Sequence, residues 1–124
     1  MTADRPEKLH ELLAARVSSG DLAGIMDLYE EDATYDGGRA GRLAGLDAIG
    51  DYFRGMLGLH PTLELRTRKV ISTGKIALLA CDWRLCVSPG SGELTERTGT
   101  SVEVARRQPD GTWRYVIDEP TFLG

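Results

Sequence analysis

The sequence predicts an α+β protein in which three N-terminal helices pack on one face of a sheet. Two observations carry this reading. Apolar residues recur at helical spacing as far as Leu57, and beyond Pro61 the period falls to two. The period-two runs then succeed one another across hairpin-length junctions, so consecutive strands must pair antiparallel.

Asp4-Arg-Pro-Glu7 offers an N-cap, a first-turn proline and a glutamate three residues on, ahead of Leu9, Leu12, Leu13 and Val17. That first helix should stop near Gly20. Asp21 caps a short second helix with Leu22, Ile25, Met26 and Tyr29 on its apolar side. Ala33 to Asp36 reads as a brief strand and Gly37 to Gly45 as a loop. A third helix starts near Leu46, carries Ile49, Tyr52, Phe53, Met56 and Leu57 on one side, and ends before Pro61. Strands follow over Leu63–Ile71, Ile76–Ser88, Leu94–Arg107 and Trp113–Asp118, joined by turns at Ser72–Gly74, Ser88–Gly92 and Gln108–Gly111.

A chain of 124 residues buries roughly two-thirds of its unfolded surface, enough for one domain over 1–124 with its own core. Fifteen basic against nineteen acidic residues give a net charge of −4, so no basic field exists to hold nucleic acid or an anionic membrane. No apolar run approaches the ~18 residues of a membrane span. The start lacks the basic and apolar regions of a secretion signal, which points to the cytoplasm. Cys81 and Cys86 fall on opposite faces of one strand and should remain reduced thiols. His10 and His60 are the only histidines and take structural readings, so no metal site is expected. Gly37-Gly38 lacks the strand-to-helix context of a phosphate loop, and no cofactor is expected. Arg39 and Arg42 read as solvated loop charges.

Along Ile76–Ser88 one face carries Ala77, Leu79, Cys81, Trp83, Leu85 and Val87, and the other Ile76, Leu78, Ala80, Asp82, Arg84 and Cys86. Burial rules send the uniformly apolar face to the helices and leave Asp82 and Arg84 as a solvated pair, but either face could be the interior.

The segments Gly20-Asp-Leu-Ala-Gly-Ile-Met-Asp-Leu-Tyr-Glu-Glu-Asp-Ala-Thr34, Gly45-Leu-Asp-Ala-Ile-Gly-Asp-Tyr-Phe53 and Asp110-Gly-Thr-Trp-Arg-Tyr-Val-Ile-Asp118 resemble the nuclear transport factor 2-like superfamily, and within it the SnoaL-like and ketosteroid-isomerase-like proteins. The resemblance implies a cone: a curved antiparallel sheet wrapped around three helices, with an apolar pocket on the concave side and a homodimer through the convex face. It puts Asp82, Arg84, Glu103, Val116 and Asp118 on the concave face, and Trp83, Trp113, Tyr115, Val102 and Val104 on the convex one. The implied activity is cofactor-independent acid/base chemistry of isomerase, cyclase or epoxide-hydrolase type on a small apolar oxygenated molecule, the alternative being a non-catalytic binding or dimerisation module. Asp82 is then the base, Arg84 its partner, Asp118 or Glu103 the acid, and Tyr35 an orienting hydroxyl. Leu13, Phe53, Leu57, Leu78, Ala80 and Val116 would bind the substrate. The isomerase base falls on Gly37 and the isomerase oxyanion tyrosine on Leu13; only the oxyanion acid has a counterpart, Glu103. Epoxide-hydrolase-like members match at Tyr35 and Asp118, with the Arg-x-Asp pair reversed as Asp82-x-Arg84 and their asparagine replaced by Gly37.

Overall fold

In the computed structural model, which describes every residue except 39, 40, 89, 91, 123 and 124, the helices gather on one side of a curved sheet. Arg39, and Pro89 and Ser91 of the Ser88–Gly92 turn, therefore lie outside the described residues. Helix α1 (Lys8–Ser19) buries Leu9, Leu12, Leu13 and Val17 and ends at Gly20, whose φ of 74° is the left-handed conformation that glycine adopts without strain. It begins later than the expected cap. Arg5, Pro6 and Glu7 form a turn whose carbonyls accept from the next three amides, while Asp4 pairs with Arg5 in solvent.

Asp21 caps α2 (Leu22–Met26) as expected, its Oδ1 accepting from the Gly24 amide at 2.9 Å. Strand β1 (Tyr29–Asp36) begins at Tyr29, a residue assigned above to the helix, and β2 (Arg42–Ala44) lies within the expected loop, pairing antiparallel with β1. Helix α3 (Leu46–Leu57) keeps its predicted span, and its Ile49 and Phe53 are buried. Strands β3 (Thr62–Thr73), β4 (Ile76–Val87), β5 (Thr95–Arg107) and β6 (Trp113–Glu119) form an antiparallel meander. The sheet order is β2-β1-β6-β5-β4-β3, and β1 joins β6 in parallel. Among the described residues no helix is long and apolar enough to cross a membrane.

Strand phase decides which side chains meet the helices. Ala77, Leu79 and Cys81 of β4 are buried against them, and the register Leu79↔Glu103 and Cys81↔Ser101 carries Glu103 and Ser101 inward too. The expectation that Asp82 and Arg84 face the concave side is corrected: both lie on the convex face, half-exposed. There Asp82 accepts from Thr100 and lies 3.7 Å from Arg68, and Arg84 pairs with Glu96 at 2.8 Å rather than with Asp82. Burying Ala77, Leu79 and Cys81 leaves the charges of Asp82 and Arg84 in solvent, which is cheaper than desolvating both.

Trp113 and Tyr115, expected on the convex side with Trp83, are buried beneath the helices. Asp118 is also buried, which strict alternation from Tyr115 forbids. The resolution is a bulge. Ala105 pairs with Tyr115 and Val104 with Ile117, so Val116 is the extra residue and the phase of β6 flips across it.

Trp83 faces inward at the cavity rim, its Nε1 donating to the Pro120 carbonyl at 2.7 Å. The indole lies over Gly99, its cross-strand partner, and a Cβ there would sit 2.6 Å from the ring. Gly99→Ala should therefore displace the indole and cost about 1–3 kcal/mol. Urea denaturation together with Trp emission checks this; an unchanged midpoint and spectrum would contradict the contact.

Candidate functional site

Between α1, α3 and the inner sheet face lies a cavity of about 120 Å³. Its walls are largely aromatic and aliphatic: Leu13 from α1, Tyr52, Phe53 and Met56 from α3, and Tyr35, Leu63, Leu65, Trp83 and Tyr115 from the sheet. The rings support one another at contact distances. Tyr35 stands 4.9 Å from Tyr52 and 5.6 Å from Phe53 between centroids, and Tyr29 stands 5.1 Å from Tyr115.

Into this apolar wall the sequence inserts a cluster of polar groups. His10 follows Leu9 on the buried side of α1 and reaches the sheet, with Nε2 2.5 Å from Glu103 Oε1 and Nδ1 2.7 Å from Thr67 Oγ1. A carboxylate only accepts, so Nε2 carries the proton in this pair. Thr67 then donates to Nδ1 of a neutral ring or accepts from a protonated one. His10 and Glu103 are each 2% exposed, so the interaction acts in a low dielectric. Glu103 Oε2 makes no hydrogen bond among the described residues, and Glu103 lines the cavity.

Asp118 sits beside Glu103 because the two are cross-strand partners. Burial, and then the charge of Glu103, push its carboxyl well above the usual range, and the hydrogen bond from Tyr29 Oη at 2.7 Å only partly opposes them. Asp118 is thereby pushed towards its neutral, proton-donating form beside Glu103. Tyr115 Oη is the one buried side-chain polar atom without a partner among the described residues, and Tyr115 lines the same cavity. A buried hydroxyl left unbonded costs roughly 1–3 kcal/mol, which a ligand oxygen or a water would recover.

His10, Cys81 and Glu103 each bring a metal-ligating atom within 4.8 Å of the others, all buried. Burial pushes the Cys81 thiol up to about 12, so its sulfur is protonated, and Nε2 of His10 is committed to Glu103. The trio is thus a hydrogen-bonded pair beside a thiol rather than a set of open donors.

Of the residues singled out from the sequence, Glu103, Asp118, Tyr35, Leu13 and Phe53 line the cavity. Leu57 packs on the core behind it. Asp82, Arg84, Leu78, Ala80 and Val116 are not among its lining residues; Leu78 is 45% exposed on the convex face, and Ala80 and Val116 are half-buried. His10, Tyr115 and Tyr29 were missed as polar site groups. The one signal for His10 was its place at core spacing on α1, where a histidine needs a buried partner; nothing local pointed to Glu103, 93 residues away.

The architecture is that of a cone-fold pocket protein. A family model described as SnoaL-like domain matches residues 9–119, and the chain belongs to that family. Solved structures agree on the fold. A nuclear transport factor 2-like superfamily protein from Salmonella enterica serovar Typhimurium superposes with a TM-score of 0.80 at 19% identity, covering 94% of this chain and 89% of that one. A nuclear transport factor 2-like protein with a cystatin-like fold from Novosphingobium aromaticivorans gives 0.77 at 24% identity, covering 94% and 80%. A ketosteroid isomerase-like protein from Erwinia carotovora atroseptica gives 0.80 at 13%, covering 91% and 89%. No curated protein matches.

The raised pKa of Asp118 makes a signed prediction. Its folded value exceeds the unfolded value of about 3.9, so folding takes up a proton and stability falls as pH rises between the two. Asp118→Asn keeps an acceptor for Tyr29 and never ionises. Near pH 4 variant and wild type should be similar in stability, and the variant should gain about 1.4 kcal/mol per pH unit above that until the folded pKa is reached. Urea melts from pH 4 to 7 read this; a pH-independent difference would show that Asp118 ionises freely.

Proposed function

We propose that the chain binds a small oxygenated organic molecule in the cavity and acts on it by cofactor-independent acid/base chemistry of isomerase or cyclase type. The observation that supports this best is the adjacency of two buried carboxyl groups in unlike surroundings, Glu103 bonded to His10 and Asp118 pushed towards its neutral form by burial and by Glu103. Glu103 takes a proton from carbon next to a carbonyl through its unbonded Oε2. As charge develops on the carbonyl oxygen, Asp118 and Tyr115 Oη donate to it, and return of the proton to another carbon completes the isomerisation. His10 acts as a positioning residue, holding Glu103 through Nε2 while Thr67 fixes the ring. Tyr35, Leu13 and Phe53 shape the wall around the substrate.

Proton exchange tests the reading without a known substrate. Tetralone in deuterated buffer should incorporate deuterium faster with the protein than without it, and Glu103→Gln should cost about 10²–10⁴-fold in rate. Tyr115→Phe should cost about 10²-fold, with little change in fold because its hydroxyl has no partner to lose. Exchange at the buffer rate by a protein that tetralone nonetheless stabilises against heat would replace the catalytic reading with that of a binding module.

The proposal includes a cytoplasmic homodimer through the convex face. Two free thiols suit a reducing compartment. With Trp83, Trp113 and Tyr115 inside, the support for a dimer comes from a different set of residues. Ile71, Leu78, Val104 and Ile117 are aligned partners across β3, β4, β5 and β6, and three of them are clearly exposed, at 52%, 45% and 44% for Ile71, Leu78 and Ile117. Such a row left in water invites a second sheet. Sedimentation should show a dimer that Leu78→Lys converts to monomer; a wild-type monomer at high concentration would end this part of the proposal.

A further inference from the structure

Read from its floor to its rim, the cavity is electrically lopsided. Glu103 and Asp118 are buried in it, whereas Arg97 is exposed, and with the half-buried Trp83, Leu85 and Pro120 it marks the rim. Arg97 is the cross-strand partner of Leu85 and occupies the same face of β5 as Gly99, Ser101 and Glu103. Its neighbours Glu96 and Thr98 fall on the other face, where Glu96 is taken by Arg84. Among the described residues Arg97 makes no salt bridge and is the only arginine or lysine lining the cavity.

We infer that the cavity selects a flat, elongated carboxylic acid, bound with its carboxylate on the Arg97 guanidinium at the rim and its oxygenated end on Glu103, Asp118 and Tyr115. The inference rests on the cavity being a ligand site, as proposed above, and adds the ligand's class and direction. Three features carry it. A guanidinium presents paired donors that match a carboxylate, and one such group, with no further arginine or lysine among the described lining residues, suits a single carboxylate better than a phosphate chain. At the floor His10 is committed to Glu103, so among the described lining residues the guanidinium at the rim is the cation left to pair with a carboxylate. Between the two ends, the backbone at Gly99 leaves room for the Trp83 indole to lie flat, fixed by its bond to Pro120, which gives a planar body a surface to lie along. Arg97 and Glu103 are six residues apart on one strand, about 20 Å at ~3.3 Å per residue before the arginine side chain leans in, so the occupant is long rather than round.

Calorimetric titration with hydroxynaphthoic acid and with its neutral methyl ester tests both parts. The acid should bind wild type about tenfold more tightly than the ester, which corresponds to about 1.4 kcal/mol, and added salt should narrow the gap. In Arg97→Gln the preference should fall to within about twofold, and Arg97→Lys should keep part of it. Equal affinities in wild type, or a preference that survives Arg97→Gln, would overturn the role of Arg97 while leaving the cavity a ligand site. Failure of both compounds to bind would overturn the role of Arg97 and the proposed function together.

Discussion

A buried contact between His10 on α1 and Glu103 on β5 organises the interior of this protein. Burying two such groups in an aromatic cavity is expensive, and removing either partner alone leaves the other unpaired at a cost of about 3–5 kcal/mol. A hydrophobic pair of the same volume would often serve stability as well or better, so stability does not explain the residues chosen. Their geometric effect is plain. Thr67 on β3 closes the other ring nitrogen, and one histidine thereby fixes a helix against two strands of the sheet.

The consequences of that pair spread along the sheet. Because Glu103 faces Asp118 directly across β5 and β6, its charge adds to burial in pushing the aspartate towards its protonated form. Tyr29 then has an acceptor and Tyr115, one ring away, has none. Two carboxyl groups and a spare hydroxyl share a water-poor space, where electrostatic effects are several times stronger than at the surface. The convex face is the reverse: Asp82 pairs with Arg68, and Arg84 with Glu64 and Glu96, in solvent, where such pairs contribute little.

Membership of the SnoaL-like family settles the scaffold and leaves the chemistry to the side chains, since one fold carries many activities. Here the chain places a histidine, two acids and a tyrosine hydroxyl around one hollow. Helix α3 and the aromatic rings on β1 and β6 supply the walls that exclude water from them.

Much of the architecture was legible in the sequence, because helical and strand periods, the Asp21 cap, the Gly20 stop and the short turns are local properties of the chain. Those signals gave α3, the four-strand meander and the composition of each strand face. They could not give the partner of a strand as brief as β1, which lies parallel to the last strand, nor the second partner strand β2 inside a glycine-rich loop. Which face turned inward was equally beyond local reading. Alternation fixes only that Asp82 and Cys81 oppose each other, and the choice between them belongs to the helices that cover the sheet. Finally, Asp118 and Tyr115 share the interior only because Val116 bulges out of register, and a bulge arises from how two strands pair rather than from the residues of one.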